Sequence, residues 1–208
     1  MRPYPYRVWP FYRITFNASM AITGAGTSGA TAAALRAGRG DSAALAEFVA
    51  LTQHDVRRFI ALVARGIDVD DLVQDTYLRA FGSLHRFEGR SSARTWLTGI
   101  ARHVVVDAIR HRTARPSVAM GDGTDLEILT ARSFSREVPA HARVELHDLL
   151  DRIAPERREA LVLTQVIGFS YAEAAEIVGC PVGTIRSRVA RARTDLHGHI
   201  HGDDAVSA

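Results

Sequence analysis

Residues 170–193 read SYAEAAEIVGCPVGTIRSRVARAR, two helical patterns joined by a tight turn. Ser170 is followed three residues later by Glu173, a spacing at which the two can cap a helix reciprocally. Gly179 suits the left-handed residue that closes a helix, and Pro181 prevents its continuation. A second helix is expected from near Val182 to about Leu196, with Val182, Ile185 and Val189 packing inward at helical spacing. Thr184, Arg186, Ser187, Arg188, Arg191 and Arg193 are left to cover its outside. No acid occurs between Pro181 and Asp195, whereas the segment before is acid-rich, with Glu145, Asp148, Asp151, Glu156, Glu159, Glu173 and Glu176. A basic solvated face is the plainer reading of the arginines alone. Their coincidence with a helix-turn-helix layout favours DNA: the second helix reaches base edges in the major groove, and its guanidinium groups pair with phosphates.

Helical pattern extends upstream of this motif. Leu146, Leu149, Leu150 and Ile153 lead to Pro155, which suits the first turn of a helix carrying Ala160, Leu161, Leu163, Thr164 and Val166 and stopped by Gly168. Residues 114–143 break the pattern with Pro116, Gly121, Gly123 and Pro139, and read as an interdomain linker. Before it, Leu45, Phe48, Val49 and Thr52, then Val56, Phe59, Ile60 and Val63, mark one helix that ends by Gly66. A second starts at Asp68 or Val69, with Val69, Leu72, Val73, Tyr77, Ala80 and Phe81 on its apolar face. A third, from about Ala93 to Arg112, carries Trp96, Leu97, Ile100, Val104 and Ala108. No stretch alternates with period two, so the expected fold is all-α, with two small helical domains joined by a flexible linker. The expected boundaries are 35–113 and 144–198, with a weakly ordered extension over 1–34 and a tail over 199–208. The extension mixes proline with aromatics and then turns Gly-rich; Met20 within it is an alternative start of translation.

The helix after Asp68 has a second face, which presents Asp70, Asp71, Gln74, Asp75 and Arg79. It is either a solvated surface or a docking face for a basic partner helix. Beyond it the charge reverses: Arg86, Arg90, Arg94, Arg102, Arg110 and Arg112 stand against only Glu88 and Asp107. A basic loop containing Phe87, with Trp96 close behind, suits single-stranded DNA held by charge and ring stacking. Trp96 also lies on the apolar face with Ile100, where a core role is the simpler reading.

Composition sets the outer limits. All 26 basic residues are Arg, and the net charge is only +3. A GC-rich genome explains the absence of Lys; the forked donors of Arg also suit phosphate and base recognition. The lone Cys180 excludes an intramolecular disulfide and a Cys-rich zinc site. No apolar run approaches the ~20 residues of a membrane span, and Arg2, Arg7 and Arg13 interrupt any signal-peptide core, so a cytoplasmic protein is expected. His197, His199 and His201 lack the Cys or acid cluster that would complete a metal site. Cys180 in the turn reads as a packing residue. No P-loop, G-x-S-x-G or H-E-x-x-H motif occurs. No enzymatic activity, cofactor or metal is expected.

Three segments together, DLVQDTYLRAF, TWLTGIARHVVVDAIR and the helix-turn-helix region from Arg158 to Arg193, resemble the extracytoplasmic-function (ECF) sigma factors of bacterial RNA polymerase. SSARTWL, IARHVVVD and GCPVGTIRSRVARAR most resemble the actinobacterial sigma-C group. The resemblance covers roughly residues 40–113 and 144–196, in the family's domain order. It implies that Asp71, Gln74, Asp75 and Arg79 bind the clamp helices of polymerase's largest subunit, with a further contact to the flap. It implies that Arg86, Phe87, Arg90, Ser91, Ser92, Arg94 and Trp96 read and help open the −10 promoter element. Thr184, Arg186, Ser187, Arg188, Arg191 and Arg193 would read the −35 element, and an anti-sigma factor is a further expected partner. His103 departs from the Asn that many members carry after IAR, which puts a DNA contact there in doubt. Two rival readings are a dimeric helix-turn-helix regulator and a recombinase. The first would bind its operator without polymerase; the second would need a placed Ser or Tyr nucleophile, and none is evident.

Overall fold

The computed structural model describes residues 25–114 and 140–202. Among these residues all regular structure is helical, in two groups. The first contains α1 (Ala25–Ala37), α2 (Ser42–Val63), α3 (Val69–Ser83), a 3-10 turn (Leu84–Arg86) and α4 (Ala93–Ala114). The second contains α5 (Ala140–Asp151), α6 (Pro155–Leu161), α7 (Tyr171–Val178) and α8 (Val182–Gly202). α6 widens into one π turn over Val162–Val166.

The helix ends have local causes. Asp41 accepts the Ala44 N–H at 3.0 Å to cap α2. Asp68 caps α3 by accepting from Asp70 N at 2.7 Å and Asp71 N at 3.4 Å, and Asp70 and Asp71 complement the helix dipole in the first turn. Pro155 opens α6. Gly168, at φ 87°, follows the π turn and lets the chain reverse toward Ser170.

The first domain begins earlier than expected. Residues 25–34 are helical, not weakly ordered, although Gly26, Ser28 and Gly29 are poor helix formers. Tertiary packing overrides that preference: Ala30, Ala33 and Ala34 are buried, and such small side chains bring α1 close to α2 and α4. The expectations for residues 1–24 and for most of the linker, 115–139, lie outside the described residues. α5 starts at Ala140, before Val144, and α8 runs past Leu196 to Gly202.

Phe48, Val56, Phe59 and Ile60 of α2 pack with Leu72, Tyr77 and Ala80 of α3 and with Leu97, Ala101 and Val104 of α4. In the second domain Leu150, Ile153, Leu161, Leu163, Ile177, Ile185 and Val189 are buried. Each large apolar side chain so buried contributes about 1.5–3 kcal/mol. Two expected core residues are not enclosed: Phe81 and Val182 are each 38% exposed. Val182 is the first residue of α8, where no preceding turn covers it. The domains also touch, α4 packing along α7 and α2 against α6 and its π turn.

One polar pair sits inside the first core. The Thr52 hydroxyl donates its single proton to the Phe48 carbonyl at 2.7 Å, so the Tyr77 hydroxyl, 2.8 Å away, must donate to Thr52. Burial pushes the Tyr77 hydroxyl up to about 12, which keeps the donor protonated. Thr52→Val should therefore cost about 1–3 kcal/mol, because it strands a buried phenol. Adding Tyr77→Phe should recover most of that loss. Urea unfolding of the single and double variants checks this, and equal or additive losses would contradict the donor assignment.

Candidate nucleic-acid interface

The helix-turn-helix is built from α7 and α8. The Ser170 hydroxyl accepts from Glu173 N at 3.2 Å, and the Glu173 carboxylate accepts from Ser170 N at 2.9 Å, so the expected capping box is formed. Gly179 closes α7 in the left-handed region at φ 74°. Gly179 and Cys180 both donate to the Ala175 carbonyl, at 2.9 and 3.1 Å, which fixes the turn. α8 then starts with Thr184 N donating to the Pro181 carbonyl at 2.9 Å.

At 100° per residue, α8 divides the expected DNA-reading residues into two flanks. Ile185, Val189 and Ala192 face the core. Opposite them, Gly183, Ser187, Ala190 and Thr194 form an exposed ridge of small residues. Thr184, Arg188 and Arg191 stand on one side of this ridge, and Arg186 and Arg193 on the other. A ridge of this kind allows close approach to a groove floor, while each arginine row reaches toward one groove wall. Arg193 is not independent: it donates to Gln165 Oε1 at 2.6 Å, which ties it to the π turn. Asp195, the first acid after the ridge, is held by both oxygens on Arg157 at 3.1 and 2.8 Å.

On the first domain, the polar face of α3 is exposed at Asp71 and Gln74. Arg79 is committed internally: it bonds Asp75 at 2.9 Å and Asp107 of α4 at 3.0 Å. Burial pulls its pKa down, but hydrogen bonds to Asp107 and Asp75 outweigh this and hold it above the ordinary value. Arg57 pairs with Asp70. Sequence reasoning missed Leu78, 62% exposed, which lies three residues beyond Asp75 and seven beyond Asp71 on the same face. Its signal was present, since an apolar residue falls there outside the core stripe of Leu72, Thr76 and Ala80.

The loop between α3 and α4 divides by chemistry. Arg86 and Arg90 are exposed, Arg90 lying 3.4 Å from Glu88. Phe87 is not an open platform: its ring packs on Trp96 with centroids 5.0 Å apart, and both rest against the core. The Ser92 hydroxyl accepts from Thr95 N at 3.0 Å and caps α4.

Ser91 and Arg94, expected at DNA, instead meet the second domain. Ser91 lies beside the Glu176 carboxylate of α7 and favours its charged form. Arg94 binds Asp55 at 2.7 Å, reaches the Ile167 carbonyl at 3.5 Å and lies 5.1 Å over the Phe169 ring. Further along the contact, Arg102 bonds Glu159 at 2.8 Å, and Arg65 pairs with Asp151. Asp151 also bonds Arg158 at 2.9 Å. The first domain supplies arginines and the second supplies carboxylates. Among the described residues no helix is long and apolar enough to cross a membrane.

Both domains match sequence models of the sigma-70 family: region 2 over residues 48–115 and region 4 over residues 143–196. The ECF RNA polymerase sigma factor SigC of Mycobacterium tuberculosis is 46% identical over 190 residues, spanning 89% of this chain and 98% of that protein. The ECF RNA polymerase sigma-E factor of Escherichia coli is 32% identical over 173 residues, spanning 79% and 91%. Two solved structures share the fold. CnrH, in complex with the cytosolic domain of CnrY, has a TM-score of 0.62 at 27% identity and covers 84% of this chain and 99% of its own. The sigma factor RpoE of Bartonella quintana, in complex with the anti-sigma factor NepR, has a TM-score of 0.58 at 29% identity and covers 76% and 96%. The chain belongs to the ECF RNA polymerase sigma factors, and within them to the SigC type. It directs promoter-specific transcription initiation, and two sigma regions in this order do not favour a dimeric regulator.

The contact between the domains carries a pH signature. Burial pushes the Glu176 carboxyl above the ordinary glutamate range; the neighbouring Ser91 opposes the rise and the Glu173 charge adds to it. An acid raised in the folded state favours folding at low pH, and that contribution is lost as pH rises through the folded pKa. At neutral pH the ionised Glu176 is thus a burden. Glu176→Gln should raise the melting temperature at neutral pH, with the gain shrinking as pH falls into the ordinary glutamate range. A neutral-pH melting temperature at or below that of the parent chain would contradict the shift.

Proposed function

We propose that α8 reads the −35 element, that the exposed face of α3 docks on polymerase, and that the loop from Arg86 to Ser92 with the start of α4 reads the −10 element. The observation that carries the reading is the arginine-lined, acid-free outer face of α8, set by the capped turn of a helix-turn-helix. Thr184, Ser187, Arg188 and Arg191 contact one side of the groove and Arg186 the other, while Arg193 supports α8 through Gln165. On α3, Asp71, Gln74, Asp75 and Leu78 meet the clamp helices of the largest polymerase subunit; Arg79 shapes this face through Asp75 and Asp107. The flap of polymerase holds region 4.

In the −10 site, Arg86 and Arg90 hold the strand backbone, and Phe87 and Trp96 form the apolar wall beneath the loop. Ser92 fixes the helix start. Ser91 and Arg94 become available to DNA only when region 4 moves away, so the packed arrangement is the resting form of the free chain. Polymerase binding, by holding the two regions apart, exposes the promoter-reading surface. An anti-sigma factor would act on the same equilibrium, a reading supported by the relatives solved with such partners. The chain itself performs no catalysis and works in the cytoplasm beside polymerase.

The test is run-off transcription by core RNA polymerase with and without the chain, on a library of GC-rich promoters. Specific transcripts should arise only with the chain present, from start sites sharing −10 and −35 sequences. Arg186→Ala and Arg188→Ala should each weaken promoter use by about 1–3 kcal/mol through the −35 element. An unchanged −35 preference in both variants would overturn the assignment of α8. No transcripts, with tight operator binding by the chain alone, would replace the sigma mechanism with that of a conventional regulator.

A further inference from the structure

The loop from Leu84 to Ala93 carries the proposed −10 residues, and it is braced along its whole length by one helix, α1. At its start, the backbone of α1 approaches so closely that a Cβ on Gly38 would lie 2.7 Å from the Leu84 carbonyl oxygen. At its middle, Gly89 turns with φ 71°, and a Cβ there would sit 3.5 Å from Leu35 and 3.8 Å from the Thr31 methyl. At its end, the Thr31 hydroxyl oxygen accepts the Ala93 N–H at 3.1 Å. That N–H is one of the first donors of α4, which have no partner inside their own helix. Ser92 satisfies Thr95 N, so the start of α4 is capped once from its own loop and once from α1.

We infer that Thr31 is a positioning residue for promoter opening: its hydroxyl and methyl, together with Leu35 and Gly38, hold the loop in the shape that receives the unpaired strand. This rests on the proposed role of the loop. The physical case is independent of DNA. The loop's own contacts are short-range, among them Glu88–Arg90, Arg86–His85 and the Phe87 N–H on the Leu84 carbonyl, so its placement depends on what lies behind it. Behind it, Thr31 gives a directional contact, because a hydrogen bond fixes where Ala93 N points and so where α4 begins. α1 is made largely of Ala, Gly, Ser and Thr and is held by packing, so any displacement of α1 moves the loop with it.

The experiment compares the full chain with Thr31→Val, which keeps the branched shape but cannot accept, and Thr31→Ser, which can. Amide hydrogen exchange on the free chain reads the loop directly. Exchange over residues 88–95 should quicken about fivefold in the valine variant, as expected for one lost hydrogen bond, and stay near the parent rate in the serine variant. With polymerase bound, opening of a duplex promoter, followed by a fluorescent base in the −10 element, should slow in the same order. A promoter already opened as a mismatched bubble should be used equally by all three. Unchanged exchange in the valine variant overturns the bracing. Faster exchange with normal duplex opening, or equal losses on duplex and bubble, overturns the positioning role. A parent chain that opens no promoter at all counts against the sigma mechanism, and exchange alone then decides whether Thr31 holds the loop.

Discussion

Arginines on one domain facing carboxylates on the other is the constraint on which the resting structure turns. Arg65, Arg102 and Arg94 extend from the first domain, and Asp151, Glu159, Phe169 and Glu176 receive that surface from the second. Arg94, Arg102, Asp151 and Glu159 are largely shielded from water, so salt screens them less than an exposed pair, whereas Arg65 is half exposed. The region 4 surface that meets region 2 is acidic, and DNA is also an anion. Arg94, at the start of α4, pairs with Asp55 of its own domain and meets the second domain through the Ile167 carbonyl and the Phe169 ring, so a contact with DNA there would require those second-domain groups to give way. The outer face of α8 carries no acid, and Asp195, on its flank, is held by Arg157.

The two reading elements are stabilised by opposite strategies. α7 and α8 are specified locally: Ser170, Glu173, Gly179 and Pro181 lie within a dozen residues and fix the turn by hydrogen bonds among near neighbours. The loop proposed to read the −10 element is specified remotely, with the cap of the following helix divided between Ser92 and a residue of α1. A locally fixed module can recognise duplex DNA as a rigid body. A loop fixed from behind can be shifted by what happens to its support, which suits an element that must follow DNA from paired to unpaired.

This difference decides what the sequence made legible. The helix-turn-helix, its caps and the outward arginines follow from spacing alone, as does the all-α fold. Thr31 was not legible, because its partner Ala93 lies 62 residues away and a threonine in a Gly- and Ala-rich stretch looks like linker. α1 was legible only in part: its alanine-rich second half favours a helix, while Gly26, Ser28 and Gly29 before it do not and are carried by packing. Arg94 and Ser91 were expected in a DNA-facing surface, and the structure turns them to the second domain, a long-range pairing that periodicity cannot reveal. Phe87 was open in sequence, and its ring packs on Trp96 in the structure. Leu78 was legible but passed over, since polar neighbours drew attention to the charges of α3 and away from its exposed leucine.

Regions 2 and 4 are proposed to close on each other in the free chain and to separate on polymerase. Distance measurement by paired spin labels tests it most directly, with Gln53→Cys on α2 and Ala190→Cys on α8 in a Cys180→Ser background. Both labelled positions are exposed and stand apart from the contact between the domains. One narrow, short distance is expected for the free chain and a longer one after core polymerase is added. The same distribution in both states, or a broad distribution in the free chain, would contradict it.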